Sequence, residues 1–275
     1  AYPHENIEVI VWDNDSDASS KASVREKLTG MKKERWRRIE YLESDQNFGV
    51  YHSRHELINR VHPDIDIVCS LDDDVILPEQ MLLETLVLFQ QDPLVGIIGP
   101  KTVYASDPLR TAHGAGFVNR RSGRYTDLDT NESTECDYVI GCCMLMKKAA
   151  ITKTGNFDLD FFTSHGEVDY CLRAKKNGFK VLYFPAVTVK HNVGVGGRRT
   201  PERLYYVFRN KILIFKRHLP LPNRWIALAI YYLIGIPRSI IVSIARNKDD
   251  SWQEICAILN GMIDGLHGKT GKRDN

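Results

Sequence analysis

An α/β fold, with a sheet flanked by helices and a C-terminal amphipathic helical appendage, is what this 275-residue sequence predicts. Three observations carry that expectation. Strand-like and helix-like segments alternate through the first hundred residues, the rhythm of βαβ units that gather ligands beyond the carboxyl ends of their strands. Three adjacent carboxylates, Asp72, Asp73 and Asp74, close one apolar run. After His191 and a Gly-rich loop, aromatic, aliphatic and basic residues mix at helical spacing, as on an amphipathic helix.

The elements follow in order. Residues 7–12 (IEVIVW) read as a strand, followed by a polar loop and a charged helix around 21–37. RRIEYLES is the next strand, VYHSRHELINRV a helix, and IDIVCSL a buried strand. PEQMLLETLVLFQQ is a helix with Pro78 at its start, and VGIIGP one more strand. This alternation favours a mostly parallel sheet. From Thr111 a Gly- and Arg-rich hairpin-like stretch precedes a strand and helix in YVIGCCMLMKKAAITKTG, a helix in GEVDYCLRAKKNG ending at Gly178, and two short strands in KVLYFPAVTVKH.

Hydrophobic residues at 43% suffice for a sizeable core, and a net charge of +2 gives no global attraction to nucleic acid. The six cysteines lack CxxC spacing and lie mostly in apolar stretches, which points to buried, reduced thiols and a cytosolic setting. No signal peptide opens the chain, and Ala1 reads as a processing or fragment boundary. The apolar run 225–236 meets Pro237 and Arg238. It is too short to cross a bilayer as a helix, but can lie on one.

Like charges as close as the three aspartates repel unless a cation sits among them. In an extended stretch Asp72 and Asp74 face one way and Asp73 the other, so two hard carboxylates converge as they do around Mg²⁺ or Mn²⁺. Capping of the following helix explains an isolated pair equally well. Asp13, Asp15 and Asp17 imitate a calcium loop, yet Ala18 and Val24 replace its glycine and its bidentate glutamate, which excludes an EF-hand. Glu167 and Asp169 open a helix, where carboxylates commonly serve the dipole, and His191 is either a strand-end histidine or a third metal ligand.

Taken in order, IEVIVWDNDSD, NFGVYHSRH, SLDDDVILPE and the stretch GCCMLMKKAAITKTGNFDLDFFTSHGEVDYCLRAKKNGFKVLYFPAVTVKH resemble the motifs of a family 2 glycosyltransferase, in particular its rhamnosyltransferase-like branch. The resemblance spans nearly the whole chain. It implies a GT-A fold, a Rossmann-like mixed sheet flanked by helices, in residues 1–197; the basic and apolar residues of 198–275 read as a helical region that either attaches to an anionic membrane or packs the same apolar face on the catalytic domain. It also implies a divalent ion, Mn²⁺ or Mg²⁺, at Asp72, Asp74 and His191. Asp13, Arg54, Asp73 and Arg198 (or its neighbour Arg199) are implied around the nucleotide, Glu167 as general base, and Gly141 and Asp169 at the acceptor.

The implied reaction moves a sugar, rhamnose in that branch, from a nucleotide-diphosphate donor to a saccharide or lipid-linked acceptor of a cell-surface glycan, with inversion. The implied place is the cytoplasm or the cytoplasmic face of an anionic membrane. Two departures stand out: Gly166 occupies the place of an acidic neighbour of the base, and the family's usual first strand and helix do not precede Ala1. The second predicts a truncated chain with poor donor binding. A sugar-nucleotide pyrophosphorylase and a non-catalytic nucleotide-sugar or membrane-binding module are the competing readings; nucleic-acid binding through the basic tail is disfavoured.

Overall fold

A computed structural model describes residues 2–193, 199–246 and 251–273. The chain opens with β1 (Glu8–Asn14), α1 (Ala18–Met31) and β2 (Arg38–Ser44). Asp17 caps α1 by accepting from the Ser20 amide, and β1 and β2 pair in parallel. There follow α2 (Val50–Asn59), β3 (Ile67–Leu71), β4 (Val75–Ile76), α3 (Met81–Gln91) and β5 (Val95–Tyr104). Then come β6 (Asp107–His113), β7 (Ala115–Val118), β8 (Tyr125–Leu128), β9 (Thr134–Glu135), β10 (Cys143–Lys147), α4 (Lys148–Thr154), α5 (Gly166–Lys176) and β11 (Lys180–His191). The helices α6 (Pro201–His218), α7 (Leu221–Ile230), α8 (Ile236–Ala245) and α9 (Ser251–His267) complete the described fold.

The main sheet runs β3-β10-β5-β11-β4, with β6 on β5 and β9 on β11. It is mixed rather than mostly parallel, because β10 lies antiparallel to both β3 and β5 while β11 and β5 run parallel. β5 is buried along nearly its whole length, and its continuous apolar run is what a central strand needs. The stretch expected to form two short strands is a single strand, β11, whose register shifts between Phe184 and Thr188. Pro185 lies in that shift and has no amide to give to the ladder. The charged helix stops at Met31, and α3 begins three residues after Pro78.

Ile97, Met144, Met146, Val181 and Tyr183 fill the main core, which Leu213 and Ile214 of α6 join. The other face of α6 builds a second core with Leu228, Tyr231 and Ile258. Thr200 caps α6 by accepting from the Arg203 amide, with Pro201 next to it in the first turn. Thus α6 fastens the C-terminal helices to the sheet-bearing part.

The apolar run does not stop at Pro237. A π-helical turn, Tyr231–Gly235, joins α7 to α8, and together they form a 25-residue helix, Leu221–Ala245, long and apolar enough by length and composition to cross a membrane. Pro237 lacks the amide for a partner one turn back, and the change of hydrogen-bond pattern in the preceding π turn accommodates it. All six cysteines are free.

Candidate active site

The aspartates lie in a tight turn between β3 and β4, not in an extended stretch. The Asp72 amide donates to the Cys142 carbonyl at 2.9 Å, and the Val75 amide to the Asp72 carbonyl at 3.4 Å. Asp73 is exposed at the turn. β11 brings in the third group: His191 pairs with Val75 in the ladder, and the next amide, Asn192, donates to the Asp74 carbonyl at 2.8 Å. As a result one ligand atom each of Asp72, Asp74 and His191 lies within 4.8 Å of the others.

These residues fit a divalent ion. His191 Nε2 stands 3.0 Å from Asp74 Oδ1, a contact that a shared ion would replace. Two carboxylates and one imidazole form a donor set of the kind that takes Mn²⁺ or Mg²⁺.

α2 joins this cluster to the base expected at Glu167. Arg54 is 7% exposed; its Nη2 donates to Asp72 Oδ1 at 2.6 Å and to the Gly141 carbonyl at 2.8 Å. Its guanidinium also lies 5.4 Å from the centroid of the Tyr51 ring, one helical turn earlier, and the Tyr51 hydroxyl donates to Glu167 Oε2. Burial, and then the charge of Glu167, push the Tyr51 phenol well above its ordinary pKa, while Arg54 acts in the opposite sense. Tyr51 therefore remains a donor at neutral pH. Glu167 itself is half-buried in the first turn of α5.

Two expected acceptor residues have other occupations. A Cβ on Gly141 would come within 2.5 Å of Arg54 Nη1, so this glycine is where the guanidinium packs. Asp169 is 1% exposed and accepts from Arg173 Nε at 2.7 Å and His218 Nε2 at 2.8 Å; a carboxylate so enclosed is not available to an acceptor.

The nucleotide residues are redistributed as well. Arg54 is consumed by Asp72 and Gly141 and positions the acidic turn rather than offering a free donor. Asp13, at the end of β1, is buried, and accepts from the Ser16 amide at 2.9 Å and the Tyr41 hydroxyl at 3.2 Å. Those bonds, with Lys21, hold its pKa below the usual value although burial opposes them. Asp13 thus shapes its loop. Arg198 lies outside the described residues, and Arg199 is bonded to Glu254 and Ser243 at 2.8 Å each.

Tyr51 is the residue that sequence reasoning missed. The missing acidic neighbour of Glu167 was its trace: a Cβ on Gly166 would stand 2.6 Å from the Tyr51 ring. An open cleft of about 650 Å³ between β6 and β8, lined by Asp107, Arg110, His113, Asp127 and Asp129 among others, has none of the expected site residues in its lining.

With this geometry in place, comparison with known proteins identifies the chain. The family model for glycosyl transferase family 2 matches residues 1–155. The chain belongs to glycosyl transferase family 2.

Among curated proteins it is similar to the low-salt glycan biosynthesis hexosyltransferase Agl10 of Haloferax volcanii, at 22% identity over 142 residues. That match takes in 50% of this chain and 44% of Agl10, so the chain spans less than half the length of this relative. Of solved structures, the mannosyltransferase PcManGT of Pyrobaculum calidifontis, in complex with GDP-Man and Mn²⁺, aligns with a TM-score of 0.60 at 15% identity. The alignment covers 98% of this chain and 80% of that one. GalNAc-T7 with UDP, GalNAc and Mn²⁺ aligns at 0.55 and 10% identity, over 85% and 51% of the two chains. S. aureus TarS 1-349 aligns at 0.54 and 13% identity, over 96% and 73%. The fold of this family 2 chain is accordingly GT-A, with the mixed sheet described above.

Proposed function

We propose that the chain is an inverting hexosyltransferase that moves a sugar from a nucleotide-diphosphate donor to an acceptor hydroxyl of a surface glycan. The observation that carries this reading is the continuous chain of contacts Asp72–Arg54–Tyr51–Glu167. It ties a cation-binding turn to a hydrogen-bonded carboxylate through two side chains of one helix, the pairing that a displacement at an anomeric carbon requires.

Asp72, Asp74 and His191 would hold Mn²⁺ or Mg²⁺, which when bound would supply positive charge against the donor diphosphate. Arg54 keeps Asp72 in place, and the Tyr51 hydroxyl keeps Glu167 oriented. Glu167 takes the proton of the acceptor hydroxyl as its oxygen bonds to the anomeric carbon. The bond from that carbon to the diphosphate breaks with its electron pair leaving on phosphate, and attack from the opposite face inverts the centre. Asp13 frames the nucleotide loop, and exposed Asp73 is free to meet the ribose. PcManGT and GalNAc-T7, both solved with Mn²⁺, support the choice of ion, and Agl10 supports a hexose. Rhamnose, suggested by the motif order, is the first donor sugar to try.

Residues 1–197 form the catalytic part. Residues 198–275 form a helical region that rests on the cytoplasmic face of an anionic membrane, where lipid-linked acceptors reside.

The test is a donor-binding and transfer assay on Glu167→Gln and on Asp72→Asn/Asp74→Asn. Glu167→Gln loses transfer by about a hundredfold or more and keeps nucleotide affinity in Mn²⁺, whereas the double variant loses both. Unchanged transfer in Glu167→Gln overturns the assignment of the base.

A further inference from the structure

Beside Glu167, away from the acidic turn, lies a second polar cluster that the transfer reaction as described does not use. Lys211 of α6 has its ammonium 4.7 Å from the centroid of the Tyr125 ring, 5.2 Å from that of Tyr231 and 5.9 Å from that of Phe215. Burial alone pulls its pKa down, to about 8. Burial is the one influence on it, with no carboxylate acting on it among the described residues, so among them a half-buried cation stands against three aromatic rings without a counter-ion.

Two of the rings against it, Tyr125 and Tyr231, and one neighbour of each carry unsatisfied polar atoms. The hydroxyls of Tyr125, Tyr231 and Tyr232 and Nδ1 of His165 are buried without a hydrogen-bond partner among the described residues. The rings are neighbours: Tyr125 and His165 lie 5.3 Å apart, Tyr231 and Tyr232 6.3 Å. Buried polar groups almost always have partners, and two orphaned phenols against one cation, each with an orphaned neighbour, are not explained by packing. Cation–π contact compensates the ammonium in part, but it gives the hydroxyls nothing.

The chemistry of the enclosure selects its ligand. Burial, then the carboxylates of Glu167 and Asp169, hold the Tyr125 phenol well above its ordinary pKa, and burial, then Lys211 and Arg203, lower His165 to about 3. At neutral pH the set is therefore one ammonium and phenols able to donate, with an uncharged imidazole. A group rich in acceptor oxygens and negatively charged matches it; a sugar hydroxyl needs no cation. Tyr231 and Tyr232 also belong to the π turn of the long apolar helix, so a tail attached to that anion can run onto an apolar surface. π turns recur at functional positions.

We propose that Lys211, with the hydroxyls of Tyr125 and Tyr231, binds a phosphoryl group carried by the acceptor. This rests on the transfer reading for the word acceptor only; the anion pocket stands without it.

Calorimetric titration of the full chain in EDTA tests the idea with inorganic pyrophosphate, farnesyl phosphate and farnesol. Both phosphates bind, and farnesol binds at least about tenfold more weakly. Tighter binding of farnesyl phosphate than of pyrophosphate assigns the phosphate to a lipid, and equal binding assigns it to a free or sugar-borne phosphate. Lys211→Gln weakens phosphate binding about tenfold or more while UDP still binds in Mn²⁺. Asp72→Asn/Asp74→Asn does the reverse.

Tyr125→Phe and Tyr231→Phe guard against a misfolded lysine variant. Each weakens phosphate binding about fivefold to tenfold and leaves thermal melting of the free protein undiminished, because the hydroxyl it removes has no partner there. A silent titration in EDTA, wild-type phosphate binding by Lys211→Gln, or a marked loss of melting temperature in the two phenylalanine variants overturns the pocket. If phosphate binds in EDTA but UDP does not bind the wild type in Mn²⁺, the transfer reading fails and the pocket survives.

Discussion

Tyr51 and Arg54 decide the geometry of the site from one turn of α2. Residues three apart share a helix face, so one helix sends a hydroxyl to the base and a guanidinium to the acidic turn. Tyr51→Phe removes only the hydroxyl. Transfer falls about tenfold, the worth of one hydrogen bond to a charged group, while nucleotide affinity in Mn²⁺ stays the same; parallel kcat and nucleotide-binding measurements separate the two. Gly166→Ala sets a methyl group 2.6 Å from the Tyr51 ring and forces that ring or α5 to shift. It lowers stability by about 1–3 kcal/mol and lowers transfer as well, read by denaturant unfolding and by assay. The acidic turn was legible in the sequence because carboxylates at a strand end announce themselves, whereas His191 stayed one of two readings until β11 set it beside Asp74. Tyr51 was not legible, since an aromatic residue in a helix reads as core until its hydroxyl is seen to have a charged partner. Asp169 misled for the converse reason: its sequence setting beside Glu167 says nothing of the histidine 49 residues away that encloses it.

At the scale of elements, Asp169 joins α5 to α6. It is held by Arg173 on its own helix and by His218 at the end of α6, with Arg217 at 3.8 Å. Burial raises its pKa, but the bonds from His218 and Arg173 outweigh burial, and the pKa is lowered from 3.8. A carboxyl lowered on folding stabilises the fold above its unfolded pKa of about 3.9 and gives that up as pH falls through its folded value. Asp169→Asn therefore costs about 3 kcal/mol at neutral pH, leaving Arg173 and His218 without their anion. Melting temperatures from pH 6 downward show the sign: wild type loses stability below about pH 4, and the variant loses less over the same interval. The order of elements was largely legible from periodicity. The sense of β10 was not, because antiparallel insertion depends on where a long connection lands rather than on the strand's own residues. The π turn escaped for a similar reason: Pro237 reads as a stop when the hydrogen-bond pattern before it cannot be seen.

For the molecule as a whole, the C-terminal helices pose a question of solvent. One face of the long helix packs Ala227, Leu228, Tyr231 and Ile236 onto α6, while Trp225 at 67%, Leu233 at 76% and Ile241 at 64% exposure project away from it. Exposed Arg238 lies in the same helix and exposed Arg246 directly follows it, so the segment offers both apolar and cationic groups, the combination that seats a helix in an anionic interface. Water is a poor solvent for three such side chains, each worth roughly 1.5–3 kcal/mol on burial. Leu233→Asp/Ile241→Asp removes two of them without touching the packed face, so the fold persists while partitioning falls by at least about tenfold. Cosedimentation with phosphatidylcholine vesicles doped with phosphatidylglycerol reads this directly. Raised salt weakens wild-type binding only in part, because screening acts on the arginines and not on the apolar contacts. Transfer to a water-soluble acceptor survives in the variant and transfer to a lipid-linked one declines, since the catalytic contacts stay intact and only the meeting with the membrane is lost. Equal sedimentation of variant and wild type would place the exposed face outside the membrane and leave the phosphoryl pocket to soluble acceptors.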